Sequence, residues 1–258
     1  MELAAKRGNC IYLQLGEPDF TTPKHILEAA KKAMDEGHTH YGPDRGSHEL
    51  RRLIAQKIKK EYGADYNWED EILITAGGQA GLHIAVMALA NPGDEVIILV
   101  PYYPPYLVNT TLAGAKPVFV TLRSENGFVP DPAEIEKAVT PKTKALIILT
   151  PNNPTGAVYP AEVLKRLVEL ARERNFMIIA DEVYESLVYD GLKHTSALSF
   201  PGAKEHVVQV NSFSKIYAMT GLRIGYVAAK AELLLQFLKY HHTVNISANV
   251  PCQMACVA

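Results

Sequence analysis

Hydrophobic and polar positions along the chain switch repeatedly between two periods. From Thr22 to Gly37 apolar residues recur at helical spacing (Ile26, Leu27, Ala30, Met34), with Thr22 placed to cap and Pro23 at the first helical position. A second amphipathic stretch starts at Ser47, carries Leu50, Leu53, Ile54 and Ile58 on one face, and ends near Gly63. Short apolar runs then predict strands at 71–75, 95–100, 117–121, 144–149, 176–180, 207–210 and 225–229. Helices are predicted between them at 78–89, 104–112, 131–139 and 160–174, with Asp131 as a cap and Pro132 in first position. This alternation predicts an α/β fold, a mostly parallel sheet of about seven strands sandwiched by helices. Several of the strands are apolar on both faces, as a sheet covered on both sides requires.

A length of 258 residues allows one large domain, or one domain and part of a second. With 26 Lys and Arg against 28 Asp and Glu, the net charge of −2 offers neither the basic stripe of a nucleic-acid binder nor the basic amphipathic face of a membrane-surface protein. Three cysteines, Cys10, Cys252 and Cys256, are too few and too unevenly placed for a disulfide framework. The opening residues lack the charged-then-apolar order of a signal peptide, so a cytoplasmic location is expected.

In a parallel sheet, ligands gather at the carboxyl ends of the strands, so the loops there carry the candidate chemistry. Ala76-Gly77-Gly78-Gln79 follows the first strand and opens a helix, which presents backbone N–H groups to an anion; by itself it is also ordinary turn chemistry. Thr150-Pro151-Asn152-Asn153-Pro154-Thr155-Gly156 forms a rigid loop whose amides can point into a cleft, or simply a turn. Asp181-Glu182-Val183-Tyr184 places a carboxylate at a strand end with a phenol three residues on, a carboxylate that must be paired or hydrogen-bonded to stay ionised, unless it is a capping Asp. Ser212-Phe213-Ser214-Lys215, with Arg223 eight residues later, suits a Schiff-base lysine beside a phosphate held by Ser and Arg.

Taken together, the sequence resembles the class I/II aminotransferases of fold type I, which depend on pyridoxal 5'-phosphate (PLP). Five motifs carry the resemblance: LGEPDF from Leu15, YGPDRGSHELR from Tyr41, TAGGQAG from Thr75, NNPTG from Asn152 and SFSKIYAMTGLRIGY from Ser212. The resemblance implies that Lys215 forms the Schiff base with PLP and moves the substrate's Cα proton, and that Asp181 pairs with the pyridine nitrogen. It further implies that Asn153 and Tyr184 hydrogen-bond the cofactor's phenolic oxygen, and that Gly78, Gln79, Ser212, Ser214 and Arg223 hold its phosphate. Tyr103, within Pro101-Tyr102-Tyr103-Pro104-Pro105-Tyr106, matches the aromatic residue that stacks on the ring, with Tyr102 or Tyr106 as packing residues. Gly16 and Asn153 match substrate-side positions. Tyr41 matches a tyrosine that reaches the phosphate of a neighbouring subunit, so a homodimer is implied.

The implied activity is transfer of an amino group between an L-amino acid and a 2-oxo acid by a ping-pong mechanism. A PLP-dependent C–S β-lyase or synthase, and a non-catalytic PLP-binding module, are alternatives on the same scaffold. Residues 1–22 are expected to belong to the family's small domain and 23–258 to its PLP-binding large domain, with the C-terminal small domain absent and the chain truncated. His241-His242 and the Cys252/Cys256 pair read as core rather than a metal site.

Overall fold

The computed structural model describes residues 6–11 and 16–258; Leu15, the first residue of the LGEPDF motif, lies outside them, as does part of the 1–22 segment. From Lys24 onward the helices are α1 (Lys24–Asp35), α2 (His48–Tyr62), α3 (Gly78–Leu89), α4 (Pro105–Leu112), α5 (Pro132–Ala138), α6 (Ala161–Arg174), α7 (Ala203–His206), α8 (Phe213–Ile216), α9 (Ala231–Val244) and α10 (Val250–Val257). The strands are β1 (Ile72–Thr75), β2 (Glu95–Val100), β3 (Lys116–Thr121), β4 (Thr143–Leu149), β5 (Met177–Asp181), β6 (Val207–Ser212) and β7 (Gly225–Ala228).

They form one seven-stranded sheet in the order β1-β7-β6-β5-β4-β2-β3, in which β7 alone pairs antiparallel to its neighbours. Alternate residues of the strands other than the edge strand β3 feed two separate cores, which explains their doubly apolar character. Ile74, Ile97, Ile148 and Ile178 pack with Leu50, Ile54 and Ile58 of α2 and Leu164 and Leu167 of α6. Leu73, Ile98, Ile147, Ile179 and Val208 pack on the other face with Leu82 and Val86 of α3 and Phe237 of α9.

Local signals mostly act as the sequence predicts. The Ser47 side chain accepts from Leu50 N, Gly63 ends α2 in the left-handed conformation, and Asp131 caps α5 through Ala133 N. Thr22 does not cap α1. Pro23 occupies the cap position without a side-chain bond, while the Thr22 hydroxyl donates to Ala218 O at 2.5 Å and ties the helix start to the loop after α8. β6 runs two residues beyond its predicted end, because Asn211 and Ser212 continue the ladder with β7. Neither α9 nor α10 is predicted from the sequence; α10 is capped by Asn249, whose side chain accepts from Cys252 N, and its Ala255 packs on Ile26 and Ala30 of α1. Among the described residues no helix is long and apolar enough to cross a membrane.

Candidate active site

The carboxyl ends of β4, β5 and β6 and the start of α3 surround a cavity of about 490 Å³. Its lining includes Gly16, Gly78, Gln79, Tyr103, Asn153, Asp181, Tyr184, Ser212, Ser214, Lys215 and Arg223. Chain segments from residue 16 to residue 223 thus converge on one space. Tyr41 is not among them; it lies on the surface, 80% exposed, beside a separate cavity with Met34 and Val250.

At one end stand the anion-binding elements. Gly78 and Gln79 are the first two residues of α3, where N–H groups have no intrahelical acceptor and the helix dipole is positive. Gly77 turns into this helix at φ 84°, a conformation that favours glycine, and a Cβ there would lie 2.6 Å from Arg223 Nη2, so a side chain would push the guanidinium off the turn. Gly225 is constrained by backbone instead, since a Cβ would meet Gly78 N at 2.6 Å and Asn211 O at 2.7 Å. The Ser212 hydroxyl accepts from Ser214 N at 3.1 Å and caps α8, while the buried Ser214 hydroxyl has no partner among the described residues. Arg223, held by a bond from Nη1 to Thr220 O at 2.9 Å, completes a cup of donors suited to a phosphate.

At the other end Asp181 closes β5. It is buried, and among the described residues its carboxylate accepts only from the Tyr106 hydroxyl at 2.9 Å and Val183 N at 3.4 Å. Burial pushes its pKa up to about 6, against the lowering effect of the two hydrogen bonds. A dry carboxylate with so few donors can take a further one from the cavity, above all a cationic N–H. Tyr106 is the residue that sequence reading missed: placed among packing aromatics, it is instead the donor to Asp181, and it meets Tyr103 edge-on at 5.6 Å. Tyr102 is a packing residue, stacked on Phe119.

Between these ends lies Lys215, whose Nζ donates to Gly16 O. Burial lowers its pKa, opposed by Glu17 and assisted by Arg223. Glu17, also unforeseen, is held by the Thr220 hydroxyl at 2.9 Å. Across the cavity Asn153 Nδ2 donates to the Tyr184 hydroxyl at 3.5 Å, and burial raises the Tyr184 pKa. A space flanked by an aromatic face, with a carboxylate at one end, an anion cup at the other and an amine alongside, suits a flat, phosphorylated, nitrogen-containing ring.

Residues 8–258 match the family described as aminotransferase class I and II. Among curated relatives, a probable aspartate/prephenate aminotransferase of Thermus aquaticus is 44% identical over 91% of this chain and 60% of its own length. An aspartate aminotransferase of Pyrococcus horikoshii is 43% identical over 93% of this chain and 61% of its own. Among solved structures, the aspartate aminotransferase from Thermus thermophilus with maleate superposes with a TM-score of 0.94 at 42% identity, covering 99% of this chain and 66% of that one. The aromatic aminotransferase from Pyrococcus horikoshii gives 0.92 at 40% identity, covering 95% and 65%. The chain therefore spans about three fifths of the length of the curated relatives named. With this match over nearly its whole length, the chain belongs to the class I and II aminotransferases, a pyridoxal-phosphate-dependent family.

Proposed function

We propose that the chain contributes the cofactor-binding large domain, residues 23–258, of an aminotransferase that moves an amino group between an L-amino acid and a 2-oxo acid, with residues 1–22 assigned to the small domain. The observation that carries this reading is the convergence of Lys215, Asp181, the Asn153–Tyr184 pair and the donor cup around α3 on one cavity. The residues fit PLP on physical grounds: the unpartnered Ser214 hydroxyl and the glycine-cleared turn suit its phosphate, and the under-donated Asp181 suits its pyridine nitrogen.

When bound, PLP supplies an electron sink for the charge left on an amino acid's Cα when its proton departs. Asp181, as a carboxylate, would keep the ring nitrogen protonated. Asn153 and Tyr184 would hold the phenolic oxygen, Tyr103 the ring, and Gly78, Gln79, Ser212, Ser214 and Arg223 the phosphate. Lys215 would take the proton from Cα and deliver it two atoms away, to the carbon on the far side of the nitrogen, and its lowered pKa raises the fraction of neutral amine near pH 7. Gly16, whose carbonyl holds Lys215 Nζ, lies on the substrate side.

The exposed Tyr41 fits a role in a neighbouring copy's site, so the active form is a homodimer. The three free thiols accord with a cytoplasmic protein. The relatives' names favour transfer over β-elimination. The test is the visible absorbance of the purified chain with PLP, before and after a panel of L-amino acids that includes aspartate and the aromatic donors. A lysine-dependent band converted to the pyridoxamine form establishes transfer and names the donor; no band at any PLP concentration overturns the reading.

A further inference from the structure

Behind the cavity lies a second set of acidic side chains that the proposed chemistry leaves unused. The segment from Asp181 to Glu185 divides its residues between two sides: Asp181, Val183 and Tyr184 line the cavity, whereas Glu182 and Glu185 are buried on the far side. Glu185 receives donors from two other elements: Lys57 Nζ at 2.7 Å and the Tyr62 hydroxyl from α2, and Asn211 Nδ2 at 2.9 Å from β6.

Glu182, Glu185 and His194 have the spacing of a metal site, with ligand atoms within 4.8 Å of one another. The protein's own donors occupy both carboxylates, while His194 Nε2 stands 3.7 Å from Glu182 Oε2. Glu182 accepts from the Ser196 hydroxyl at 2.7 Å, Ala197 N at 2.8 Å and Gln209 Nε2 at 2.6 Å, and Lys57 supplies the positive charge at Glu185. Carboxylates whose oxygens are already taken are anchors rather than metal ligands.

What Glu185 anchors is visible in the next bonds. The Asn211 amide that donates to Glu185 uses its oxygen to accept from Ser212 N at 2.7 Å. Ser212 in turn caps the short helix that carries Ser214 and Lys215. Ser212 is also the wall between two spaces, since it lines both the cavity in front and a second cavity of about 260 Å³ behind, with Lys57, Glu185 and Asn211.

We propose that Glu185 is a positioning residue which, through Asn211, locks the Ser212–Lys215 turn to the segment bearing Asp181 and Tyr184, with Lys57 as its counter-ion. The inference rests on the proposed reading of the cavity as a PLP site. Two halves of that site sit on different strands, and this chain of bonds makes their spacing independent of whether the cofactor is present. Tying the phosphate-binding hydroxyls to the carboxylate strand in advance reduces the ordering cost of binding.

Removing Lys57 alone would leave the buried Glu185 without its counter-ion, whereas Lys57 also pairs with Glu61 at 2.8 Å, so the informative variants change both members of the buried pair. In Lys57→Leu/Glu185→Leu the anchor is lost without a stranded charge. In Lys57→Leu/Glu185→Gln an amide oxygen still accepts from Asn211. Dissociation constants for PLP and for inorganic phosphate are measured on the folded wild type and both variants, alongside the thermal midpoint. The expected result is about a tenfold weakening of both ligands in the Leu/Leu variant and recovery to within about twofold in the Leu/Gln variant. Wild-type affinities in the Leu/Leu variant overturn the inference even if its thermal midpoint falls, because that pattern is stability without positioning. Equal weakening in both variants also overturns it. Should the Leu/Leu variant fail to fold, Asn211→Ala breaks the same chain while leaving the Lys57–Glu185 pair intact, and the same tenfold criterion applies. A wild type that binds PLP but a variant that does so equally well refutes the inference alone; a wild type that binds no PLP refutes the function with it.

Discussion

Asp181 and Glu182 are adjacent carboxylates, both buried, and the structure treats them in opposite ways. Glu182, facing the interior, accepts from Ser196, Ala197 and Gln209 and leaves little of its hydrogen-bonding capacity unused. Asp181, facing the cavity, has one phenol and one long backbone contact, and burial raises its pKa accordingly. The same division runs through the neighbouring residues: the Ser214 hydroxyl in front is unpartnered, while Glu185 and Asn211 behind are held on several sides. The interior carboxylates Glu182 and Glu185 commit their capacity to the fold, whereas Asp181 and Ser214 on the cavity side keep capacity in reserve for a ligand, at a cost to the empty protein.

The largest effect should come from the residue at the centre of the cavity side. Lys215→Ala should lower transamination by at least about 10⁴-fold and remove the PLP band that depends on lysine, since both nucleophile and proton carrier are lost. The thermal midpoint should hardly change, because Lys215 supports no core packing. A variant that keeps the wild-type band would place the Schiff base on another lysine and break the contrast at its centre.

On the interior side the prediction is the reverse. Glu182→Ala strands three buried donors and should destabilise the fold by on the order of 3–5 kcal/mol, read as a shift of the denaturant midpoint. A loss of less than about 1 kcal/mol would mean that the interior carboxylate is no better used than the cavity one.

Asp181→Asn sharpens the comparison because its sign depends on pH. With a folded-state pKa of about 6, above the ordinary value, the protonated carboxyl is favoured in the fold; its stabilising contribution is complete below about pH 4 and is lost as pH rises through 6. Above that window the empty protein carries a buried charge. The Asn variant should therefore be more stable than the wild type at pH 8 by up to roughly 2–3 kcal/mol, and should show no such gain at pH 4. Its affinity for PLP should fall. Denaturation at the two pH values checks this, and an Asn variant equally destabilised at both would show that Asp181 is anchored as firmly as Glu182.

How much of this contrast the sequence displayed depends on the range of the interactions. The strands were legible because consecutive residues such as Ile97-Ile98 and Ile147-Ile148 are both apolar, whichever core each enters. Lys215, Asp181 and the Gly77-Gly78 turn were legible because motif residues sit at strand ends, where position alone implies a role. Tyr106 was not: it stands among aromatics that look like packing, and its partner lies 75 residues away. Glu185 likewise reads as an ordinary polar residue after a strand, and only the fold brings Asn211, 26 residues on, against it. Thr22 shows the same limit at short range, since a hydroxyl suited to a helix cap was taken by Ala218 O, 196 residues distant.

Tyr106→Phe tests the boundary between the two sides with the smallest change. The phenol is wholly buried and its pKa is raised well above the ordinary value, chiefly by burial and then by Asp181, so it acts only as a donor. Phe keeps the ring and its edge contact with Tyr103 while deleting the hydroxyl. The lost bond goes to a group that is charged near neutral pH, so about 1.5 kcal/mol is at stake, or roughly a tenfold weaker PLP dissociation constant. Because the phenol was lowering the Asp181 pKa, its removal should also move the pH at which the empty protein loses stability upward from about 6. Both readouts follow from one hydrogen bond and should shift together. A weaker PLP affinity with an unmoved pH midpoint would mean that Tyr106 shapes the cavity by packing, and that Asp181 has another donor to the same oxygen.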